Sequence, residues 1–416
     1  MNIWLIKIGE PLPIKNNTKK MRAALLAEQL IERGHSVVRW TSAFDHFSKK
    51  WLSDKDSQLK INDNFRIIFL RGIGYKKNFS LRRFIDHRII ARKFRRLARN
   101  IPQPDIIVVS TPPYDLAYEA VMYAKRAHIP VLVDIRDEWP DLFLQHIPVK
   151  LRSLAKIFLA QDFLMAKRAM ENADALIAIA HSLLGWGLKY AGRAKTQNDR
   201  VFYLGSKKKL IDDSYKNINP PYLENLKNKF IIVFIGSFVK NNDPFVIIEC
   251  AKRLKGENIH FVLAGDGELL RAAKEKAAGL PNVSFTGWLN EKEVNILLRS
   301  SYIGISPASQ HRDAFPNKIF SYFSAGLPVI SAFQGDAKDF IEKYQLGFYY
   351  PPNDINSLTE CVKRLCKDKE FYRNISNNVR KIFEERFDAD KIYAEYAEHI
   401  EKIVEEQSKL TFLRNL

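Results

Sequence analysis

Cysteine is nearly absent: 416 residues hold only Cys250, Cys361 and Cys366. An odd count, with no Cys-x-x-Cys and no histidine at ligand spacing, argues against a disulfide scaffold and a structural zinc site. Cys361 and Cys366, five apart in an apparent helix, read as packing residues. Long apolar runs are missing too. The longest nearly apolar stretch, Phe230–Val239, falls far below the ~18 residues that span a bilayer. The N-terminus, Met1-Asn2-Ile3-Trp4-Leu5-Ile6-Lys7, turns polar too soon for a signal peptide. These features predict a soluble protein of a reducing, cytoplasmic compartment with no transmembrane anchor. Glycine-rich phosphate loops are also lacking. Gly9-Glu10-Pro11-Leu12-Pro13, after the first apolar run, contains a single glycine, and no Walker-type loop occurs. Dinucleotide redox chemistry and P-loop hydrolysis lose most of their weight. Acidic residues are in the minority, 47 against 66 Lys and Arg, for a net charge of +19. Such a surplus favours anionic partners: nucleic acid, phosphorylated small molecules or an acidic membrane face.

What is present is a 46% hydrophobic chain, long enough at roughly 150 residues per domain for two or three cores. Short apolar runs alternate with longer amphipathic ones, which predicts parallel strands joined by crossover helices. The expected strands are 3–8, 36–40, 66–70, 105–110, 131–134, 175–179 and 201–204. A second series follows at 230–235, 260–264, 283–285, 302–306, 328–331 and 347–350. Between them the pattern breaks into Ser206-Lys207-Lys208-Lys209 and Asn217-Ile218-Asn219-Pro220-Pro221, a linker. The expectation is an α/β protein of two Rossmann-like, doubly wound domains facing a cleft. It divides into an N-terminal domain (1–205), a linker (206–229), a C-terminal domain (230–387) and an acidic helix (388–416) that packs back on the N-terminal domain.

Open α/β sheets bind ligands beyond the carboxyl ends of their strands, so the loops after each strand carry the candidates. In the first half these are Gly9 and Glu10, and Thr111 in Ser110-Thr111-Pro112-Pro113-Tyr114, where a helix start offers free N–H groups. Asp134-Ile135-Arg136-Asp137-Glu138-Trp139-Pro140-Asp141 packs five ionisable groups into eight positions. It can supply a general base, a phosphate-binding arginine and an aromatic platform. In the second half, Gly236-Ser237-Phe238-Val239-Lys240 admits a diphosphate to the backbone with Lys240 as a point charge. Gly265-Asp266-Gly267 and Gly287-Trp288-Leu289 end later strands. Asp313-Ala314-Phe315-Pro316-Asn317-Lys318 opens a helix suited to hold phosphate, with Asp313 placed to accept hydrogen bonds from a polyol. Asp54-Lys55-Asp56 and Asp388-Ala389-Asp390 follow no buried strand and are not metal sites.

The basic surplus is concentrated. Residues 71–99 hold eleven Lys and Arg against one acid, Asp86. In 150–167, Leu151, Leu154, Ile157, Phe158 and Leu164 sit among Lys150, Arg152, Lys156 and Lys167. A basic amphipathic segment of this kind suits an anionic membrane surface. Nucleic acid is not expected, because no recognition motif accompanies the charge.

Taken together, Arg33-Gly34-His35, Arg136-Asp137-Glu138-Trp139-Pro140, Leu263-Ala264-Gly265-Asp266-Gly267 and Pro316-Asn317-Lys318-Ile319-Phe320-Ser321 through Ala325-Gly326-Leu327-Pro328 resemble family-4 retaining glycosyltransferases of the GT-B fold. The Arg136-Asp137-Glu138-Trp139-Pro140 and Pro316-Asn317-Lys318 segments resemble the branch that builds bacterial O-antigen, capsule or exopolysaccharide units. The resemblance implies a nucleotide-sugar donor in the C-terminal domain and an acceptor in the N-terminal one. It also implies no cofactor beyond that co-substrate and no metal requirement. The family's two acidic donor residues correspond to Asp313 and Ser321, the second having lost its carboxylate. Gly236, Ser237 and Lys240 match the diphosphate loop, Gly287 and Trp288 the nucleobase position, and Phe315, Pro316 and Asn317 the donor helix start. The histidine common near Ser110–Pro112 is absent.

The implied reaction places negative charge on a leaving diphosphate, so Lys240, Lys318 and backbone N–H groups are the expected stabilisers. Asp137 or Asp134 would orient the acceptor hydroxyl and Arg136 an acceptor phosphate. The favoured acceptor is a polyprenyl-diphosphate-linked glycan, met at the inner face of the plasma membrane. A GT-B nucleotide-sugar epimerase and a non-catalytic nucleotide-sugar or nucleic-acid binding protein are the rivals.

Overall fold

The computed structural model describes residues 1–12, 14, 20–78, 80–145, 147–208 and 220–414. These form two compact units, one of Met1–Tyr203 with Ile392–Leu416 and one of Leu204–Lys391. Part of the expected linker, 209–219, lies outside the described residues.

Unit 1 runs β1 (Asn2–Ile6), α1 (Arg22–Glu32), β2 (Ser36–Ser42), β3 (Ser57–Asn62), β4 (Phe65–Leu70), α2 (Leu81–Leu97), β5 (Ile106–Thr111) and α3 (Tyr114–Arg126). It continues with β6 (Val131–Ile135), α4 (Asp141–Gln145), α5 (Arg152–Phe158), α6 (Ala160–Glu171), β7 (Ala175–Ala178), α7 (His181–Ala191) and β8 (Arg200–Val201). The sheet order is β3-β4-β2-β1-β5-β6-β7-β8, parallel except for β3. The central strands are apolar on both faces, as a parallel sheet covered by helices requires. Trp4 and Trp40 lie with ring centroids 5.0 Å apart on the face that α2 and α3 cover, closed by Phe94 and Tyr123. Helix α2 buries Asp86, His87, Ile90, Ala91 and Phe94, one stripe at helical spacing, which leaves much of its arginine and lysine on the outside.

Two elements differ from the sequence expectation. Strand β3 was not anticipated. It is an exposed antiparallel edge strand whose two apolar residues, Leu59 and Ile61, stay exposed, and Lys60 on it suits an edge that must not recruit another strand. Strand β8 stops at Val201 instead of continuing to Leu204, because Phe202 turns to stack on Tyr396 at 4.6 Å.

Unit 2 contains β9 (Phe230–Ile235), α8 (Pro244–Arg253), β10 (Ile259–Ala264), α9 (Leu270–Lys276), β11 (Val283–Gly287), α10 (Glu291–Arg299) and β12 (Ile303–Ser306). Then come α11 (Asn317–Ser324), β13 (Val329–Ser331), α12 (Asp336–Lys343), β14 (Gly347–Tyr349), α13 (Ile355–Lys367) and α14 (Lys369–Ile382). Its parallel sheet has the order β11-β10-β9-β12-β13-β14, with the reversal point between β9 and β12. Cys250 is buried, Cys361 and Cys366 are half-buried, and all three are free thiols.

The last helix, α15 (Ala389–Arg414), belongs to unit 1 from Ile392 onward. There Arg33, just past α1, and His35 both reach the Glu401 carboxylate at 2.6 Å. Among the described residues, no helix is long and apolar enough to cross a membrane.

Candidate active site

In unit 2 the site is built at the carboxyl ends of β9, β10 and β11 and the start of α11. Tyr322 fixes α11 in place. Its hydroxyl donates to the Ile305 carbonyl (3.1 Å) and accepts from the Ile235 amide (2.9 Å). Its ring lies over Gly304, where a Cβ would stand 2.3 Å away. Residues four apart share a helix face, so Lys318 is carried to the same strand ends. Its ammonium lies 4.5 Å from the Phe234 ring centroid and 3.0 Å from where a Gly236 Cβ would be. The nitrogen is buried and has no hydrogen-bond partner, and burial draws its pKa down to about 7. An unpaired ammonium held this way is a site for an anion. Helix α11 starts at Pro316 without a side-chain cap, which leaves first-turn N–H groups open beside it.

The glycines do a second job. Gly236 N donates to the Ala264 carbonyl, Gly265 N to Gly287 and Phe238 N to Asp266, lacing the three loops together. A Cβ on Gly265 would lie 1.9 Å from the Gly236 oxygen, and its φ is +139°. Gly265→Ala is therefore expected to lower the melting temperature by several degrees and to weaken nucleotide binding together with it. Circular dichroism melting checks this, and an unchanged midpoint would mean the loops do not need that contact.

Other expected donor residues fall as follows. Ser237 and Lys240 are exposed on the loop after β9, and Asp266 is exposed with its carboxylate accepting from Gly267 N. Trp288, next to Gly287, is 78% exposed, a free aromatic face at the end of β11. Asp313 is exposed, and among the described residues no partner of its carboxylate is seen, while its backbone pairs with Gln334. Ser321 turns back on its own helix towards the Asn317 carbonyl at 3.5 Å. Phe315 does not face a ligand: it is buried against Phe320, Phe340 and Phe387. Its place in the donor segment is packing.

In unit 1 the acidic and basic candidates form a buried network. Asp134 accepts from Arg22 Nε and Nη2 (2.9–3.1 Å) and from Ser110 at 3.2 Å. Both oxygens are thus committed, so it anchors Arg22 and does not stand open as a base. Arg22 also donates to the Phe202 carbonyl at 2.7 Å and lies over the Tyr396 ring at 5.0 Å. Arg136 reaches Glu10 at 2.5 Å, Arg39 reaches it at 3.5 Å, and the Ala23 amide at the start of α1 donates to it at 3.1 Å. Burial alone would raise the Glu10 pKa, but Arg136, Arg39 and Lys7 hold it down to about 2. Lys7 donates to the Pro112 carbonyl at 3.2 Å, and burial with Arg136 beside it lowers its pKa to about 7. Gly9 takes a positive φ of 75° at the turn before Glu10, and the Thr111 hydroxyl is buried without a partner. Asp137 is half-buried, and its carboxylate accepts from the Glu138 amide. Trp139 is buried among Tyr114, Phe143 and Phe84, so the expected platform is a core residue.

Sequence reasoning missed Lys7, Arg39 and the group His46, Lys49, Tyr75 and Arg83. Lys7 and Arg39 carried one signal, a charge at an inward position of an apolar strand. Among the described residues, no three His, Cys, Asp or Glu side chains come together to hold a metal.

Two units, each a largely parallel sheet with doubly wound strand order, are the architecture of the GT-B fold. Residues 216–382 match the family model described as glycosyl transferases group 1. The chain is 28% identical over 179 residues to the O-antigen chain mannosyltransferase C of Escherichia coli, covering 42% of this chain and 47% of that one. It is 26% identical over 151 residues to the E. coli UDP-Gal:alpha-D-GlcNAc-diphosphoundecaprenol alpha-1,3-galactosyltransferase, covering 34% and 38%. The matches thus span about half or less of those curated relatives. In fold, the Thermosynechococcus elongatus sucrose-phosphate synthase aligns with TM-score 0.74 at 15% identity over 97% of this chain and 98% of that one. Anabaena HepE in complex with UDP-glucose aligns with TM-score 0.66 at 18% identity over 97% and 100%.

Proposed function

We propose that this protein is a retaining glycosyltransferase of bacterial surface-polysaccharide assembly. It moves a sugar from a nucleotide sugar, a UDP-sugar first among them, to a polyprenyl-diphosphate-linked glycan at the inner face of the plasma membrane. The observation that carries this reading is the buried, unpaired Lys318 ammonium against Gly236. Once protonated against a bound diphosphate, a group in that position has no protein acceptor competing for its charge, which meets the charge that grows on the leaving group in the transition state. Exposed Lys240 and the open N–H groups of α11 add to it. Exposed Asp313 is suited to the donor-sugar hydroxyls, and the exposed Trp288 ring to a nucleobase. The structure likeness to a UDP-glucose complex supports the donor class, and the name of the galactosyltransferase relative supports a diphosphoundecaprenol acceptor. On the acceptor side half-buried Asp137 is assigned to orient a hydroxyl, since Asp134 is held by Arg22 and Ser110.

Membrane attachment is supported by the exposed apolar residues of α5 and its flanks. Val149, Leu154, Ile157 and Phe158 are each more than half exposed beside Lys150, Arg152 and Lys156. Each basic residue near an anionic leaflet adds about 1 kcal/mol.

The test is a panel of UDP-, GDP- and dTDP-sugars with and without a synthetic polyprenyl-diphosphate-sugar, in the presence of anionic or neutral liposomes. Acceptor-dependent release of nucleoside diphosphate supports transfer. Conversion of the donor alone favours an epimerase. Flotation that is indifferent to lipid charge removes the membrane claim.

A further inference from the structure

Unit 2 carries a second opening, at the end of the sheet away from Lys318. A cavity of about 490 Å³ lies at the amino-terminal ends of the strands, lined by Ile231 of β9, Tyr302 just before β12 and Leu327 just before β13. No residue of the Gly236–Lys318 site lines it. Along β9, at about 3.3 Å per residue, Ile231 stands roughly 17 Å from Gly236. Leu223, Leu226, Ile231 and Leu327 are buried there, while Lys227, Lys229, Arg299 and Arg380 are exposed around it.

The walls are tied together. The Tyr372 hydroxyl of α14 donates to the Tyr302 carbonyl at 3.1 Å, and Ser376 of the same helix donates to the Gly326 carbonyl at 2.7 Å. Arg380, one turn further on, lies against Gly326, where a Cβ would stand 2.7 Å from its Nε. Tyr302 stacks on Phe230 at 4.4 Å and is still 41% exposed.

The charge in the cavity has one sign. Among the described residues no Asp or Glu lines it. Arg380 Nη1 donates to the neutral Asn377 side chain at 3.3 Å. The acids at the neighbouring helix starts are engaged, Glu293 with the Asn290 amide and Asp368 with the Glu370 and Phe371 amides. Ser300 and Ala325, which end α10 and α11, both line the cavity. Each helix end brings about half a unit of negative charge. Together they offset roughly one of the four cations, and a concave wall of one sign focuses the field of the rest. A volume of about 490 Å³ falls within the roughly 300–1,000 Å³ of small-molecule sites. The occupant that fits is a small anion of two or three charges, and the exposed Tyr302 ring offers a flat partner a place to stack.

We propose that this cavity is a second nucleotide site, remote from the site of transfer, with the phosphate on Lys227, Lys229 and Arg380 and the base on Tyr302.

The test reads lysine reactivity in the whole chain. The protein is acetylated briefly with an N-hydroxysuccinimide ester, alone or with UMP, glucose 1-phosphate or inorganic phosphate, and each lysine is followed by mass spectrometry. UMP is expected to protect Lys227 and Lys229 at lower concentration than the other two probes, while exposed Lys274 of α9 stays reactive. The UMP concentration that half-protects Lys229 rises about tenfold in Lys227→Gln and in Arg380→Gln, as the loss of one hydrogen bond to a charged group requires. Tyr302→Leu raises it for UMP and not for inorganic phosphate. Lys227 is at the surface, so its variant keeps the test valid if replacing Arg380 or Tyr302 lowers the melting temperature. Equal reactivity of Lys227 and Lys229 with and without UMP overturns the site. Protection of Lys240 alone means that UMP binds only at the transfer site, which overturns the second site and leaves the transferase reading standing. Inorganic phosphate or glucose 1-phosphate protecting as well as UMP overturns the nucleotide assignment, in favour of a phosphate or sugar-phosphate site respectively.

Discussion

Lys318→Met is expected to lower kcat by about 100- to 1000-fold at saturating donor while raising thermal stability. The first effect follows from removing one preorganised charge aimed at developing negative charge, typically about 3–4 kcal/mol of barrier. The second follows from the environment of the ammonium. Burial puts its pKa at about 7 in the folded chain, whereas a lysine in the unfolded chain titrates near roughly 10.4. Below pH 7 both states carry the proton, and the folded state bears the whole cost of burying the charge. As pH rises from about 7 towards 10, the folded state has released its proton and the unfolded state has not, so wild-type stability climbs. The stabilisation by Lys318→Met should therefore be largest near pH 6 and fade by pH 10. A bound diphosphate restores the charge, so at pH 8 nucleotide binding takes up a proton, which calorimetry in buffers of different ionisation enthalpy detects. A variant whose kcat stays within threefold of the wild type would remove Lys318 from the leaving-group role.

Asp134→Ala is expected to destabilise unit 1 by about 3–5 kcal/mol, since it strands a buried arginine. Arg22 is fully buried and joins the start of α1 to β6, to the chain after β8 and to α15 through Tyr396. For a unit of some 200 residues that corresponds to a fall in melting temperature of roughly 10 °C. The paired replacement of Arg22 and Asp134 by Met and Leu should recover much of the loss, because no lone charge remains. A midpoint for Asp134→Ala within 2 °C of the wild type would show that water reaches Arg22 readily.

Much of the molecule was legible beforehand. Strands of a parallel sheet are apolar on both faces, so β1, β5, β6 and β9 stand out as short apolar runs. Helix starts such as Pro316-Asn317 carry their own signal. β3 was passed over because its alternation is short, only Leu59 and Ile61 among polar neighbours, and neither is buried. Asp134 and Asp137 look alike in sequence; only the position of Arg22, 112 residues away, shows that Asp134 is a buried anchor. Phe315 was misread for the same reason, since Phe340 and Phe387 reach it from distant segments.

The sequence by itself determined the alternating α/β plan, the loops in which ligands would be met and the excess of positive charge, because periodicity, glycine and charge are local properties. The tertiary structure decided which charges are available. Lys318 has no counter-ion because Tyr322 draws its helix onto the apolar ends of β9 and β12. Lys49, in the loop after β2, and Arg83, in the first turn of α2, meet at the Tyr75 ring. Desolvation and pairing depend on neighbours far along the chain, and it is these that turn a common lysine into an anion site.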